Sequence, residues 1–271
     1  MNITELKNIA KQIRLDIIEE VSSAQSGHPG GSLSAVEIVT LLYFDIMNIP
    51  SFEDENRDRF VLSKGHASPL LYATLCEKGV FPREELKTFR QVGSRLQGHP
   101  DMKRLTGVDM TTGSLGLGIS AAVGMALCGK TDSRPYRVYA LLGDGEIQEG
   151  SVWEAFMAAS HYKLDNLTVF IDNNDLQIDG RVSDVMNIYP IGEKLAAFGF
   201  NVIEVADGND LELLKKAADE AIQTKGRPTA IIAKTVKGKG VSFMEDNASW
   251  HGTAPNAEQT AQALTDIRGE A

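Results

Sequence analysis

The 271-residue sequence predicts an α/β fold, a mostly parallel sheet with helices on both faces. Three observations carry that expectation. Short apolar runs alternate with segments of helical period along most of the chain. One such run, Tyr136–Leu142, leads straight into Gly143-Asp144-Gly145-Glu146. A second, Leu167–Ile171, follows after one helix-length segment and leads into Asp172-Asn173-Asn174.

The elements follow in order. Asn2 with Glu5 forms a capping box for a helix to about Val21, in which Leu6, Ile9, Ile13 and Ile17 recur at helical spacing. A Gly-rich loop at 26–32 interrupts it. Ser34 with Glu37 offers a second capping box, for a helix through Met47 whose all-round apolar character points to a buried position. Arg59–Ser63 is a short strand. Helices are expected near Pro69–Lys78 and Pro82–Arg90, the second with proline in its first turn, and a loop at 91–113. Gly116–Gly129 reads as a helix of small residues, whose glycines cost propensity but permit close packing. After the strand ending at Leu142, a helix over Ser151–Tyr162 leads to the strand Leu167–Ile171. The remaining expected elements are a helix Ile191–Phe198, a strand Asn201–Ala206, a helix Asp210–Thr224 and a strand Thr229–Thr235. The polar tail from about residue 256 is expected to fray, and 1–271 is expected to form one domain.

Composition narrows the function classes. A net charge of −10 argues against nucleic acid or an anionic membrane as partner, and Lys234, Lys237 and Lys239 read as a local cluster only. Charges recur every few residues at the N-terminus and no apolar run approaches about twenty residues, so a cytoplasmic protein is expected. Cys76 and Cys128 each sit in an apolar helical pattern and are expected to be buried thiols.

The segment from Gly143 to Asn174 holds most of the chemistry. Asp144 falls at the carboxyl end of a strand, where open α/β sheets bind ligands, and Gly143 and Gly145 leave the backbone bare beside it. If the helix after it makes a βαβ crossover, Asn174 reaches the same sheet edge. A carboxylate and an amide oxygen then face a diphosphate, a set suited to Mg²⁺ or Ca²⁺, which want hard oxygen ligands. Asp-Gly and Asn-Asn are also ordinary turn pairs, and that plainer reading stands beside the first.

These residues resemble the thiamine-diphosphate signature, and further blocks narrow the resemblance to the transketolase family. The blocks are Ser26-Gly-His-Pro-Gly-Gly31, Leu62-Ser-Lys-Gly-His-Ala-Ser68, Gln97-Gly-His-Pro100, Thr112-Gly-Ser-Leu-Gly116 and Trp250-His-Gly252. The resemblance implies a thiamine-diphosphate-binding fold, here the diphosphate-binding domain, with thiamine diphosphate and Mg²⁺ (or Ca²⁺) as cofactors. It implies transfer of a two-carbon ketol unit from a ketose phosphate to an aldose. By resemblance, Asp144 and Asn174 bind the metal through side-chain oxygens and Leu176 through its carbonyl. Gly145 and His66 lie on the diphosphate, and Gly113 and Leu115 on the aminopyrimidine. Glu149 resembles the acidic residue that meets its counterpart across the dimer. Leu117 departs from the family, which often has glutamine there.

Four of the five histidines, His28, His66, His99 and His251, adjoin glycine in loop-like segments, whereas His161 falls in an expected helix. Four histidines could also suggest zinc, but no pair lies within five residues and no cysteine joins them. The resemblance puts all four in the substrate channel as catalytic groups.

The pyrimidine-binding domain and the sugar-phosphate contacts of a full-length transketolase have no counterpart here. The resemblance therefore implies an N-terminal subunit of a split transketolase, paired with a separate C-terminal subunit in a heterotetramer. The alternatives are a subunit of a deoxyxylulose-phosphate synthase-like enzyme or keto-acid dehydrogenase, or a non-catalytic paralogue.

Overall fold

Helix α1 (Ile3–Ala24) opens the chain, followed by α2 (Pro29–Leu33) and α3 (Val36–Leu41), which widens into a π turn over Leu42–Ile46. Strand β1 (Arg59–Leu62), a 3-10 turn (Gly65–Ala67), α4 (Ser68–Glu77) and a second 3-10 turn (Arg83–Thr88) come next. Then come α5 (Leu117–Thr131), β2 (Val138–Gly143), α6 (Gly150–His161) and β3 (Leu167–Asn173). A small hairpin, β4 (Leu176–Gln177) and β5 (Gly180–Arg181), precedes α7 (Val182–Val185) and α8 (Ile191–Ala197). The chain continues through β6 (Asn201–Val205), α9 (Leu211–Gln223), β7 (Thr229–Lys234) and α10 (Ala257–Arg268). This computed structural model describes residues 1–269; the last two residues of the expected 1–271 domain lie outside the described residues.

The main sheet has the order β1-β2-β3-β7-β6, and all its pairings are parallel. Alternate strand residues feed two cores. Phe60, Leu62, Tyr139, Leu141 and Phe170 pack under α1, α3, α4 and α9, whereas Val61, Ala140, Leu142, Val169 and Ile171 pack under α5, α6 and α8. Both faces are therefore buried, as near-continuous apolar strands require. Among the described residues no helix is long and apolar enough to cross a membrane.

The structure departs from the sequence reading where distant partners outweigh local ones. The Asn2–Glu5 capping box forms, but Ser34 and Glu37 form none. Glu37 instead takes a bidentate, buried pair from Arg14 of α1, at 2.6 and 2.7 Å, and the Ser34 hydroxyl donates to Asp172 at 2.5 Å. A cap stabilises by about 1 kcal/mol, whereas an unpaired buried charge costs about 3–5 kcal/mol, so the ion pair wins. The Gly-rich loop contains α2, started by Pro29 at its first turn. The expected helix at Pro82–Arg90 is only a 3-10 turn, because the chain reverses at Arg90, whose N–H donates to the Leu96 carbonyl at 2.9 Å. The polar tail is not frayed. Asn256 and Gln259 form a capping box, and α10 buries Ala263 and Ile267 against the core of α1. Cys76 is buried as expected, but Cys128 is exposed on the outer side of α5, and both are free thiols.

Candidate functional site

Gly143 pairs with Asp172 at the ends of β2 and β3, so Asp144 and residues 174–176 leave the sheet side by side. Asp144 begins a 3-10 turn over Gly145–Gln148. Its Oδ1 accepts from the Gly145 N–H at 2.8 Å and its Oδ2 from the Asp175 N–H at 2.5 Å. Asn174 Oδ1 accepts from the Leu176 N–H at 3.1 Å, while its Nδ2 donates to Asp172 at 3.2 Å. Burial first, and the Asp172 carboxylate second, push the Asp144 carboxyl up to about 7. A buried acid beside another acid is short of positive charge. The oxygen donors at hand, the Asp144 carboxylate, the Asn174 amide oxygen and the Leu176 carbonyl, are all hard, and they fit Mg²⁺ or Ca²⁺ with phosphate oxygens completing the shell.

Two lysines bring positive charge to this edge. Lys64, just after β1, pairs with Asp172 and donates to the Gly31 carbonyl at 2.7 Å. Asp172 also accepts from the hydroxyls of Ser34 and Thr235, so its charge is fully engaged. Lys237 donates to the Leu176 carbonyl at 3.2 Å and meets His251 Nδ1 at 3.0 Å. It is buried and has no carboxylate within ion-pair distance among the described residues. Burial first, and Lys64 second, lower its ammonium to about 8. Lys237 thus belongs to the site rather than to a surface cluster with Lys234 and Lys239, because the turn after β7 folds it inward.

Three of the four candidate histidines meet. The ring centroids of His28 and His66 are 5.3 Å apart, those of His28 and His251 5.4 Å, and those of His66 and His251 5.2 Å. Burial is the first cause that lowers each of them, His28 to about 4, His251 to about 3 and His66 well below the ordinary value. Neighbouring cations add to it, Arg90 at His28, Lys237 at His251 and Lys64 at His66. All three are neutral near pH 7 and can each donate at one nitrogen and accept at the other. His99 stands apart, its ring 3.3 Å from where a Cβ on Gly113 would lie. Burial and then Arg90 lower it also.

A cavity of about 250 Å³ opens among these groups. Asp144, Gly145, Asn174, Leu176, His66, His251, Leu115 and Glu149 line it, together with Lys64 and Lys237. His28 packs on His66 and His251 from outside that lining, and His99 and Gly113 adjoin each other beyond it. Gly113 is nevertheless tied to the site, since a Cβ on Gly65 would come within 2.9 Å of its nitrogen. Glu149 is solvent-exposed ahead of α6, and its side chain makes no cap hydrogen bond.

Sequence reading passed over Glu146. Its carboxylate accepts from the Ser63 hydroxyl at 2.5 Å, the Gly116 N–H at 3.0 Å and the Gly143 N–H at 3.2 Å, which ties the ends of β1 and β2 to the start of α5. The available signal for Glu146, Lys64 and Asp172 was a charged residue at or within three residues of the end of an apolar strand, where burial demands a partner.

Comparison with known proteins shows the family. Residues 5–268 match the family described as transketolase, thiamine diphosphate binding domain. The chain is 42% identical over 269 residues to an apulose-4-phosphate transketolase subunit of Phocaeicola vulgatus, covering 98% of this chain and 95% of that protein. It is 46% identical over 267 residues to human transketolase, covering 97% of this chain but 42% of that one. The crystal structure of Campylobacter jejuni transketolase superposes with a TM-score of 0.92 at 36% identity, over 99% of this chain and 43% of that one. The chain therefore spans about two-fifths of the length of the full-length enzymes it matches. With its sheet, its oxygen donors at the ends of β2 and β3 and this similarity along nearly its whole length, the chain belongs to the transketolase family, as its thiamine-diphosphate-binding domain.

Proposed function

We propose that this chain is the thiamine-diphosphate-binding subunit of a two-subunit, cytoplasmic transketolase of carbohydrate metabolism, such as the pentose phosphate pathway. It would transfer a two-carbon ketol unit from a ketose phosphate to an aldose. The observation that carries the chemistry is the convergence of the Asp144 and Asn174 oxygens with His66 and His251 on one cavity. Near-complete coverage of a relative named as a transketolase subunit supports the subunit reading.

Thiamine diphosphate, when bound, supplies an electron sink for breaking a carbon–carbon bond beside a carbonyl. The chain's own residues divide the remaining work. Asp144, Asn174 and the Leu176 carbonyl hold Mg²⁺ or Ca²⁺, and Gly145 and His66 lie against the diphosphate. Lys237, which has no carboxylate partner among the described residues, is the lysine that meets phosphate oxygens, because Lys64 is engaged by Asp172. Gly113 and Leu115 receive the pyrimidine side. His28, His66, His99 and His251, kept neutral by burial, bind sugar hydroxyls and move protons between them. Glu149 and the exposed Ile178 line the cavity and, with the exposed Leu117 and Met157, belong to the surface that meets a second copy of this chain and the pyrimidine-binding subunit in a heterotetramer.

The test is turnover by the purified chain with thiamine diphosphate, Mg²⁺ and a ketose phosphate. None is expected until the partner subunit is added, whereupon light scattering reports two copies of each chain. Robust turnover by the isolated chain, or a monomer that stays monomeric with partner and cofactor, overturns the proposal.

A further inference from the structure

Arg90 is held in a conformation that its side chain must justify. Its φ of +59° lies in the left-handed region, which costs a non-glycine residue conformational energy. Such an outlier persists only where surrounding contacts impose it, and it is a pointer to function. Here the Arg90 N–H is tied to the Leu96 carbonyl, and the guanidinium is pinned between the Phe89 ring, 5.3 Å away, and Gly98, where a Cβ would stand 3.0 Å from Nε. Among the described residues Arg90 forms no ion pair with a carboxylate. Instead Nη1 donates to the Ser26 hydroxyl at 2.7 Å, and Nη2 meets His28 Nδ1 at 3.4 Å.

Arginine has donors and no acceptor, so a ring nitrogen facing it must offer its lone pair. We infer that Arg90 is a positioning residue, which holds His28 as the neutral tautomer protonated on Nε2. His28 can then donate from Nε2 to a hydroxyl or carbonyl oxygen of a sugar, and it cannot accept there. The other tautomer would put two donors face to face at Nδ1 and leave an acceptor where a donor is needed. That Nε2 is the working edge rests on the transketolase reading above; the tautomer itself does not.

The test uses the full chain labelled with ¹⁵N and a long-range ¹H–¹⁵N spectrum of the imidazoles at neutral pH, His28 being assigned by the signal missing in His28→Gln. Wild type is expected to show a protonated Nε2 and a bare Nδ1 at His28. Arg90→Lys keeps a donor-only cation and is expected to keep that pattern, whereas Arg90→Met is expected to give a mixture. A protonated Nδ1 in wild type, or an unchanged pattern in folded Arg90→Met, overturns the inference, and the first result needs no variant to fold. In the assembled enzyme, Arg90→Met is expected to lower kcat at least about tenfold with a smaller change in KM, as loss of a correctly oriented imidazole does. If the tautomer follows Arg90 but no ketol transfer is found with the partner, the functional reading fails and the positioning role stands.

Discussion

Lys64 and Asp172 form an ion pair whose side chains are 2% and 0% exposed, the lysine just past β1 and the aspartate near the end of β3, with β2 between them. The pair locks together the two sheet positions that flank Asp144. Asp172 in turn receives the Asn174 amide, so the pair decides which way the Asn174 oxygen faces.

Removing either partner leaves a buried charge without its counterion. Lys64→Met and Asp172→Ala are each expected to destabilise the chain by about 3–5 kcal/mol in urea denaturation. The double variant Lys64→Met/Asp172→Ala is expected to lose at least about 1 kcal/mol less than the sum of the single losses, as interacting residues do. Strict additivity would show that the two charges act independently.

Asp144 makes the stability of the metal-free chain depend on pH. Its carboxyl is raised to about 7, whereas an unfolded aspartate titrates near 3.8. Between these values the folded chain keeps a proton that the unfolded chain has released, so stability falls as pH rises through that window. At about 1.4 kcal/mol per unit, the loss reaches roughly 4 kcal/mol by pH 7. Asp144→Asn cannot titrate and is expected to gain on wild type progressively from pH 4 to pH 7. A constant difference between the two proteins across that range would contradict the assignment.

Among the described residues Lys237 is the buried cation without a carboxylate partner, so its removal should be felt by an anion and hardly by the fold. Lys237→Met is expected to weaken binding of inorganic pyrophosphate with Mg²⁺ by about tenfold or more, the worth of one charge-assisted hydrogen bond. Isothermal titration calorimetry measures it. Equal affinities would mean that the ammonium serves only the Leu176 carbonyl and His251.

Helix α10 is docked by its apolar side, although its sequence is polar. Ile267→Ala is expected to cost about 2 kcal/mol, at the low end for a core isoleucine because it sits at the edge of the core, and Asn256→Ala about 1 kcal/mol through its lost cap. Hydrogen exchange over 257–268 is expected to be protected in wild type. Rapid exchange there, with no loss of stability in Ile267→Ala, would restore the frayed tail.

The positions of the five main strands, the helices α4, α5, α6, α8 and α9 between them and the placement of Asp144 beside Asn174 were legible in the chain. Each depends on signals local in sequence: period-two or continuous apolar runs, an Asn2 cap, a Gly-Asp-Gly turn directly after a strand. The family blocks were equally local, and they led to the transketolase family without any contact being known. Other features belong to the tertiary structure. Ser34 and Glu37 look like a cap, yet residues 138 and 23 positions away claim them. Lys237 looks like a surface lysine until the turn after β7 buries it beside His251. Arg90 looks like a helix end until Gly98, Ser26 and His28 surround it. A local preference is worth about 1 kcal/mol, while satisfying a charge in the interior is worth several, so partners brought together by folding decide wherever the two conflict.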